Sequence, residues 1–113
     1  MKDMNTNIEG VILTPLKKID VSGGAVLHGM KKSDPGYCGF GEAYFSRVDA
    51  GIIKAWKKHN LMTLNLMVCE GKVKFVVYDD RLESVSKGIF YEVCLNQDFH
   101  CRLTVPPKVW MGF

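Results

Sequence analysis

Several common signatures are missing from this 113-residue sequence, and each absence excludes something. No two of its four cysteines, Cys38, Cys69, Cys94 and Cys101, stand at CxxC spacing, so neither a zinc ribbon nor a dithiol redox centre is written into it. No apolar run approaches a membrane span, and the opening MKDMNTNIEG has no apolar signal region. There is no block of like charge. The net charge is +3, from 15 basic and 12 acidic residues, and the lysine pairs at 17–18, 31–32 and 57–58 are scattered. That spread leaves no electrostatic footprint for nucleic acid and reads as three solvated corners. No internal repeat, low-complexity tract or helical period appears. Unpaired thiols without a leader point to a cytoplasmic protein.

What remains is a chain that is 47% hydrophobic, enough for one domain over 1–113 with a single core. A domain this short buries a smaller share of its surface than a large one, so association with a second copy would help it. Short β-type runs dominate. VILTPLKKI (11–19) is interrupted by Pro15 and predicts an edge or bulged strand. AVLHGM (25–30) follows, then a loop over 31–41 turning at Pro35-Gly36. EAYFSRV (42–48) and IIKAW (52–56) predict two more strands. In LMTLNLMV (61–68) Met62, Leu64, Leu66 and Val68 alternate with polar residues, and in KVKFVVYD (72–79) Val73, Phe75 and Val77 share a face. After a polar loop at 80–88 come IFYEVCL (89–95), CRLTV (101–105) and VWMGF (109–113). Many short strands with short connections predict an all-β sandwich or barrel with antiparallel pairing.

Four segments carry a family resemblance. IEGVILTPLKKI is similar to an opening strand, GIIKAW to a G-V-L-R-G-L motif, EGKVKFVVYDDR to R-G-x-V-x-D-V-x-V-D-x-R, and LTVPPKVWMGF to L-x-I-P-P-G-x-x-H-G-F. In this order and spacing they resemble the cupin-fold dTDP-4-dehydrorhamnose 3,5-epimerases and their dTDP-sugar ketoisomerase relatives. The resemblance runs from Ile8 to Phe113. It implies a jelly-roll domain, usually a dimer, with a pocket in the mouth of the barrel. The chain also departs from the pattern. Lys57 stands where the epimerases have their catalytic histidine, and Met111 where they have the histidine of the last motif. The family's catalytic tyrosine and final strands lie beyond the point where this chain stops, at Phe113.

Epimerisation beside a ketone needs a base, a cationic or hydrogen-bonding group at the carbonyl oxygen, and an acid for the opposite face. The ketoisomerase pattern R-G-x-H-x-H, laid over Lys54 to His59, keeps its second histidine as His59, which the resemblance makes the general base. Strand alternation sends Ala55, Lys57 and His59 to one side and Lys54, Trp56 and Lys58 to the other. Lys57 would then set a cation near the developing enolate or a phosphate. Lys54 and Arg81 stand where the family has arginines and imply diphosphate contacts. Glu42, Tyr44 and Ser46 fall where the family places polar residues near the sugar, and Tyr78 is a candidate for the missing acid or for stacking on a base. Each has a plainer reading. A histidine at a strand end is more often a surface residue, paired lysines are usually solvated, and alternating polar residues are usually a wet strand face. His28 and His100 read as structural, and Trp56 and Trp110 as packing residues of the core or a dimer interface.

The cupin metal set needs an H-x-H pair, an acid and a distant histidine, so an amine at 57 and a thioether at 111 argue against a metal. The chemistry needs no cofactor, because the ketone already acidifies the neighbouring C–H bonds. The expectation is therefore an epimerase or keto-isomerase acting on a nucleotide-linked 4-keto-6-deoxy sugar, as a homodimer. The alternative is a non-catalytic sugar-nucleotide-binding cupin or a structural or regulatory subunit of the same descent.

Overall fold

The structure, a computed structural model, describes residues 4–113. Ten strands follow in order: β1 (Met4–Asn5), β2 (Ile12–Pro15), β3 (Lys18–Val21), β4 (Gly24–Leu27), β5 (Lys57–Lys58), β6 (Leu64–Leu66), β7 (Val73–Tyr78), β8 (Phe90–Leu95), β9 (Cys101–Val105) and β10 (Trp110–Gly112). Every pairing is antiparallel, and no helix occurs among the described residues. One sheet has the order β1-β2-β9-β6, the other β5-β10-β7-β8, and β3-β4 forms a separate hairpin. This is the antiparallel all-β sandwich that the strand pattern predicts, in the jelly-roll form that the resemblance implies.

The core lies between the two four-stranded sheets. Leu13, Cys101, Leu103 and Val105 face Phe75, Val77, Leu95, Val109 and Met111, all buried. On β7 the alternation is clean: Phe75 and Val77 are buried, while Lys74 is exposed. Pro15 closes β2 beyond the stretch where β1 pairs, a position at which a missing N–H is tolerated.

β9 is buried at all five positions because its second face is also covered. Arg102 Nη1 donates to Gly29 O (2.5 Å) and Nη2 to Pro35 O (2.8 Å), with Asp34 Oδ2 3.4 Å from Nη1. Thr104 donates to Asn65 Oδ1 (2.6 Å), and Asn65 Nδ2 donates to Gly36 O (3.0 Å). The 28–36 loop is thus a strap over the sheet. Gly36, with φ +85°, lies so close to the Thr104 hydroxyl that no Cβ fits there. His100 belongs to the same layer, its Nε2 donating to the backbone carbonyl of His28 (2.6 Å), so the His100 ring is structural here.

Two expectations are corrected. No strand forms over 42–48 or 52–56, and no residue between 28 and 56 belongs to a strand. Phe40, Tyr44, Phe45 and Ile53 on that stretch are highly exposed. Without a neighbouring ladder, an alternating sequence has nothing to pair with. The simple alternation from Lys54 to His59 is also broken. Phe113 exchanges both backbone hydrogen bonds with Lys54 (2.6 and 3.0 Å), whereas Met111 lies opposite Lys57. Two steps along β10 therefore match three along the facing chain, and the extra residue bulges at Ala55–Trp56. Gly112 packs against that bulge, where an added Cβ would fall 2.6 Å from Ala55 Cβ.

Candidate active site

β5 and β10 build the site between them. Trp110 pairs with Lys58 and Met111 with Lys57. Directly paired residues share a face of the sheet. Met111 is 3% exposed and belongs to the core, so Lys57 starts from the inward face, at the edge of the sheet where its amine reaches solvent. His59, one residue beyond β5, is half-buried. Its backbone carbonyl accepts from Lys108 N (2.7 Å), which holds the end of β5 against the turn before β10.

The outward face of the same pairing carries a clamp. Trp110 Nε1 donates to Asp80 Oδ2 (2.9 Å), Lys58 Nζ lies 4.8 Å from the indole centroid, and Lys58 is 4.0 Å from Asp80 Oδ1. This explains Trp110 better than core packing does: the ring is the outer fastening of a two-residue strand.

The other sequence candidates lie elsewhere. Tyr78 pairs with Trp110, hence faces outward, and its ring packs 4.4 Å from that of Phe90. It stands on the face opposite to Lys57, and Trp56 joins the same outer group, 6.5 Å from Phe90. Arg81 is engaged by Asp79: Nε donates to Oδ1 (2.8 Å) and Nη2 to Oδ2 (3.0 Å), while Nη2 also reaches Glu9 O (2.6 Å). A 230 Å³ hollow beside it is lined by Glu9, Glu83 and Ser84, and two carboxylates make a poor seat for a diphosphate. Asp79 is fully buried and also accepts from the hydroxyls of Ser84 (2.5 Å) and Ser86 (2.6 Å). The Arg81 hydrogen bonds, ahead of those from the two serines, hold its carboxyl well below the usual carboxylate range. This hub organises the 80–88 turn.

Lys54 is exposed and its Nζ donates to Arg47 O (3.3 Å). Glu42, Tyr44 and Ser46 are exposed on the strand-free stretch. A larger cavity, about 590 Å³, lies beside that stretch, lined by Ile53, Trp56, Lys74, Val76 and Phe113 rather than by His59 or Lys57.

One inward residue escaped the sequence reading. Val77 pairs with both Met111 and Tyr91, so Lys57, Met111, Val77 and Tyr91 form one row across four strands. Tyr91 is half-buried against the core. Burial, and then the nearby Cys101 thiol, push its phenol above its ordinary pKa. Alternation in FYEVCL, where Tyr91, Val93 and Leu95 share a face, was the signal available.

The comparisons with known proteins agree with this architecture. No protein-family model matches the chain. The structure of a dTDP sugar isomerase from Desulfovibrio desulfuricans G20 superposes with a TM-score of 0.92 at 39% identity, covering 96% of this chain and 70% of that one. A dTDP-4-dehydrorhamnose 3,5-epimerase from Bacillus anthracis, solved with TDP and PPi bound, shares the fold with a TM-score of 0.76 at 21% identity, over 99% of this chain and 69% of that one. Among curated sequences, a probable low-salt glycan biosynthesis epimerase of Haloferax volcanii is 26% identical over 72 residues. That match covers 63% of this chain and 46% of the other, so it spans about half the length of that relative.

Proposed function

The chain belongs to the dTDP-sugar isomerase and epimerase family, and from that premise we propose that it epimerises or isomerises a nucleotide-linked 4-keto-6-deoxy sugar by proton abstraction next to the ketone. His59 is the general base. Histidine is the side chain that most often serves as a general base. Lys57 supplies positive charge to the enolate oxygen as it develops, which lowers the barrier because that charge is absent in the ground state. Lys54 offers a solvent-facing cation for the diphosphate. Neither metal nor organic cofactor is needed, since the ketone delocalises the carbanion.

The observation that carries this reading is the β5–β10 register. It pairs Lys57 with the core residue Met111, and His59 follows directly after the same strand. The exposed apolar side chains of Phe40, Phe45 and Ile53 support a homodimer that covers them, and sedimentation should find two copies. Four free cysteines fit a cytoplasmic setting.

The test is deuterium wash-in. The protein is incubated with a dTDP-4-keto-6-deoxyhexose in D2O while C3 and C5 are followed by NMR. Exchange above background that disappears in His59→Ala is expected. Binding without exchange would leave a non-catalytic sugar-nucleotide binder instead.

A further inference from the structure

We propose that Lys108 binds the sugar-side phosphate of the nucleotide-linked sugar, at the corner where the turn before β10 meets His59. This rests on the epimerase reading above and adds to it a group that holds the anionic half of the substrate.

Lys108 has φ +68° and is the one non-glycine residue in the left-handed region among the described residues. It follows Pro106-Pro107, and a proline followed by a left-handed residue is the order of a type II turn. Such a turn favours glycine at this position, because the Cβ of an L residue crowds the following carbonyl. In the motif that LTVPPKVWMGF resembles, the position is a glycine. The lysine therefore stands against the preference of its own backbone. Nothing around it offsets that cost. Its side chain is exposed, so its stem packs into no core. Among the described residues no carboxylate forms an ion pair with its amine. A local rule broken without a stabilising contact is the mark of a functional position.

Lys108 N donates to His59 O (2.7 Å), so the two backbones are in contact. The flexible four-carbon stem lets the ammonium reach a group seated against His59. Lys57 and Lys58, which form β5, bring two more cations to this corner. The carboxylate there, Asp80, is engaged by Trp110 Nε1 (2.9 Å) and by Lys58 (4.0 Å). Positive charge is left in surplus, and a phosphate is its complement. A lysine meets a phosphate as a point charge, with no fixed fork to align. Arg81, expected to contact the diphosphate, is held by Asp79 instead, so that role is open. Lys54 lies at the far end of the stretch that leads to His59, which leaves it for the nucleoside-side phosphate.

The experiment compares wild type, Lys108→Gly and Lys108→Gln. Glycine gives the turn the residue it favours, whereas glutamine keeps a long side chain on the same backbone and removes only the charge. Calorimetric titration with dTDP reads binding, wash-in with a dTDP-4-keto-6-deoxyhexose reads KM and kcat, and thermal melting reads stability. Both variants should bind dTDP about tenfold more weakly at low salt, the weight of one charged hydrogen bond. KM should rise in step while kcat stays within about twofold, because the contact is the same in ground and transition states. The deficit should shrink as ionic strength rises. Lys108→Gly should melt at or above the wild-type temperature. Unchanged dTDP affinity in both variants would overturn the proposal. So would a loss confined to Lys108→Gly, which marks the backbone of the turn, or a marked fall in its melting temperature, which marks a lysine kept for stability. A wild type that binds no dTDP overturns the assignment outright. If wild type binds dTDP but shows no wash-in, the epimerase reading fails while the titrations still decide Lys108.

Discussion

Trp110 Nε1 donates to Asp80 Oδ2 at 2.9 Å, on the outer side of the strand pair whose inner side carries Lys57 and Met111. β5 is only two residues long and pairs with β10 alone, so its position depends on few contacts. The indole also receives Lys58 Nζ at 4.8 Å. Trp110→Phe keeps a ring but removes the hydrogen bond. It should cost about 1 kcal/mol of stability, read as a lower urea midpoint at unchanged m-value. Because the clamp holds β5, and the proposed base His59 follows directly after that strand, wash-in should drop several-fold while nucleotide affinity stays near wild type.

Asp79 makes stability depend on acid. Its folded pKa is depressed by Arg81, Ser84 and Ser86, whereas an unfolded aspartate titrates near 3.9. The contribution is therefore fully present above that unfolded value and is lost as pH falls toward the folded one. The stability difference between wild type and Asp79→Asn should be flat above about pH 5 and shrink progressively below pH 4. Denaturant titrations at a series of pH values measure it. A difference that persists undiminished at pH 3 would contradict the carboxylate as the source.

Arg102 should be among the least replaceable residues outside the site. Its guanidinium is fully buried and joins β9 to Gly29 O and Pro35 O of the strap. Arg102→Met fits the length but leaves both carbonyls without a donor, at about 1–3 kcal/mol each. Amide hydrogen exchange should speed up first over residues 28–36, before the β7–β8 ladder loosens. Arg102→Lys should recover only part of the loss, since one ammonium cannot reproduce the two-pronged geometry.

These residues also mark where sequence reading succeeds and stops. β7 and β9 were legible because alternation and β-branched composition report a half-buried strand directly. The 42–48 stretch has the same alternation without a partner strand, and pairing is non-local information that a period of two does not contain. The bulge at Ala55–Trp56 was invisible because it arises from a register mismatch with β10. Tyr78 and Tyr91 show how much parity decides. Alternation sets Tyr78 opposite Val73, Phe75 and Val77 and sets Tyr91 with Val93 and Leu95, and the register Val77↔Tyr91 and Trp110↔Tyr78 agrees with both. Arg81 shows the same limit, since its pairing with Asp79, two residues away, is a contact that spacing alone does not announce.

Lys57 offers the sharpest division between charge and proton transfer. It is paired with Met111, where a thioether can neither stabilise an enolate nor move a proton, so the ammonium is the charged member of that pair. Lys57→Met removes the charge at similar length. It should lower wash-in by about 10²–10³, the range seen when one electrostatic stabiliser is lost. Lys57→Arg keeps the charge and should recover most of that deficit, because the group acts through its field rather than as a base. His59→Gln, by contrast, should abolish exchange at every pH, and no cation at position 57 should restore it. Measuring wash-in across pH 6–9 for the three variants separates the roles. If Lys57→Arg is as inactive as Lys57→Met while the fold is intact, then the amine itself transfers the proton and His59 is not the base.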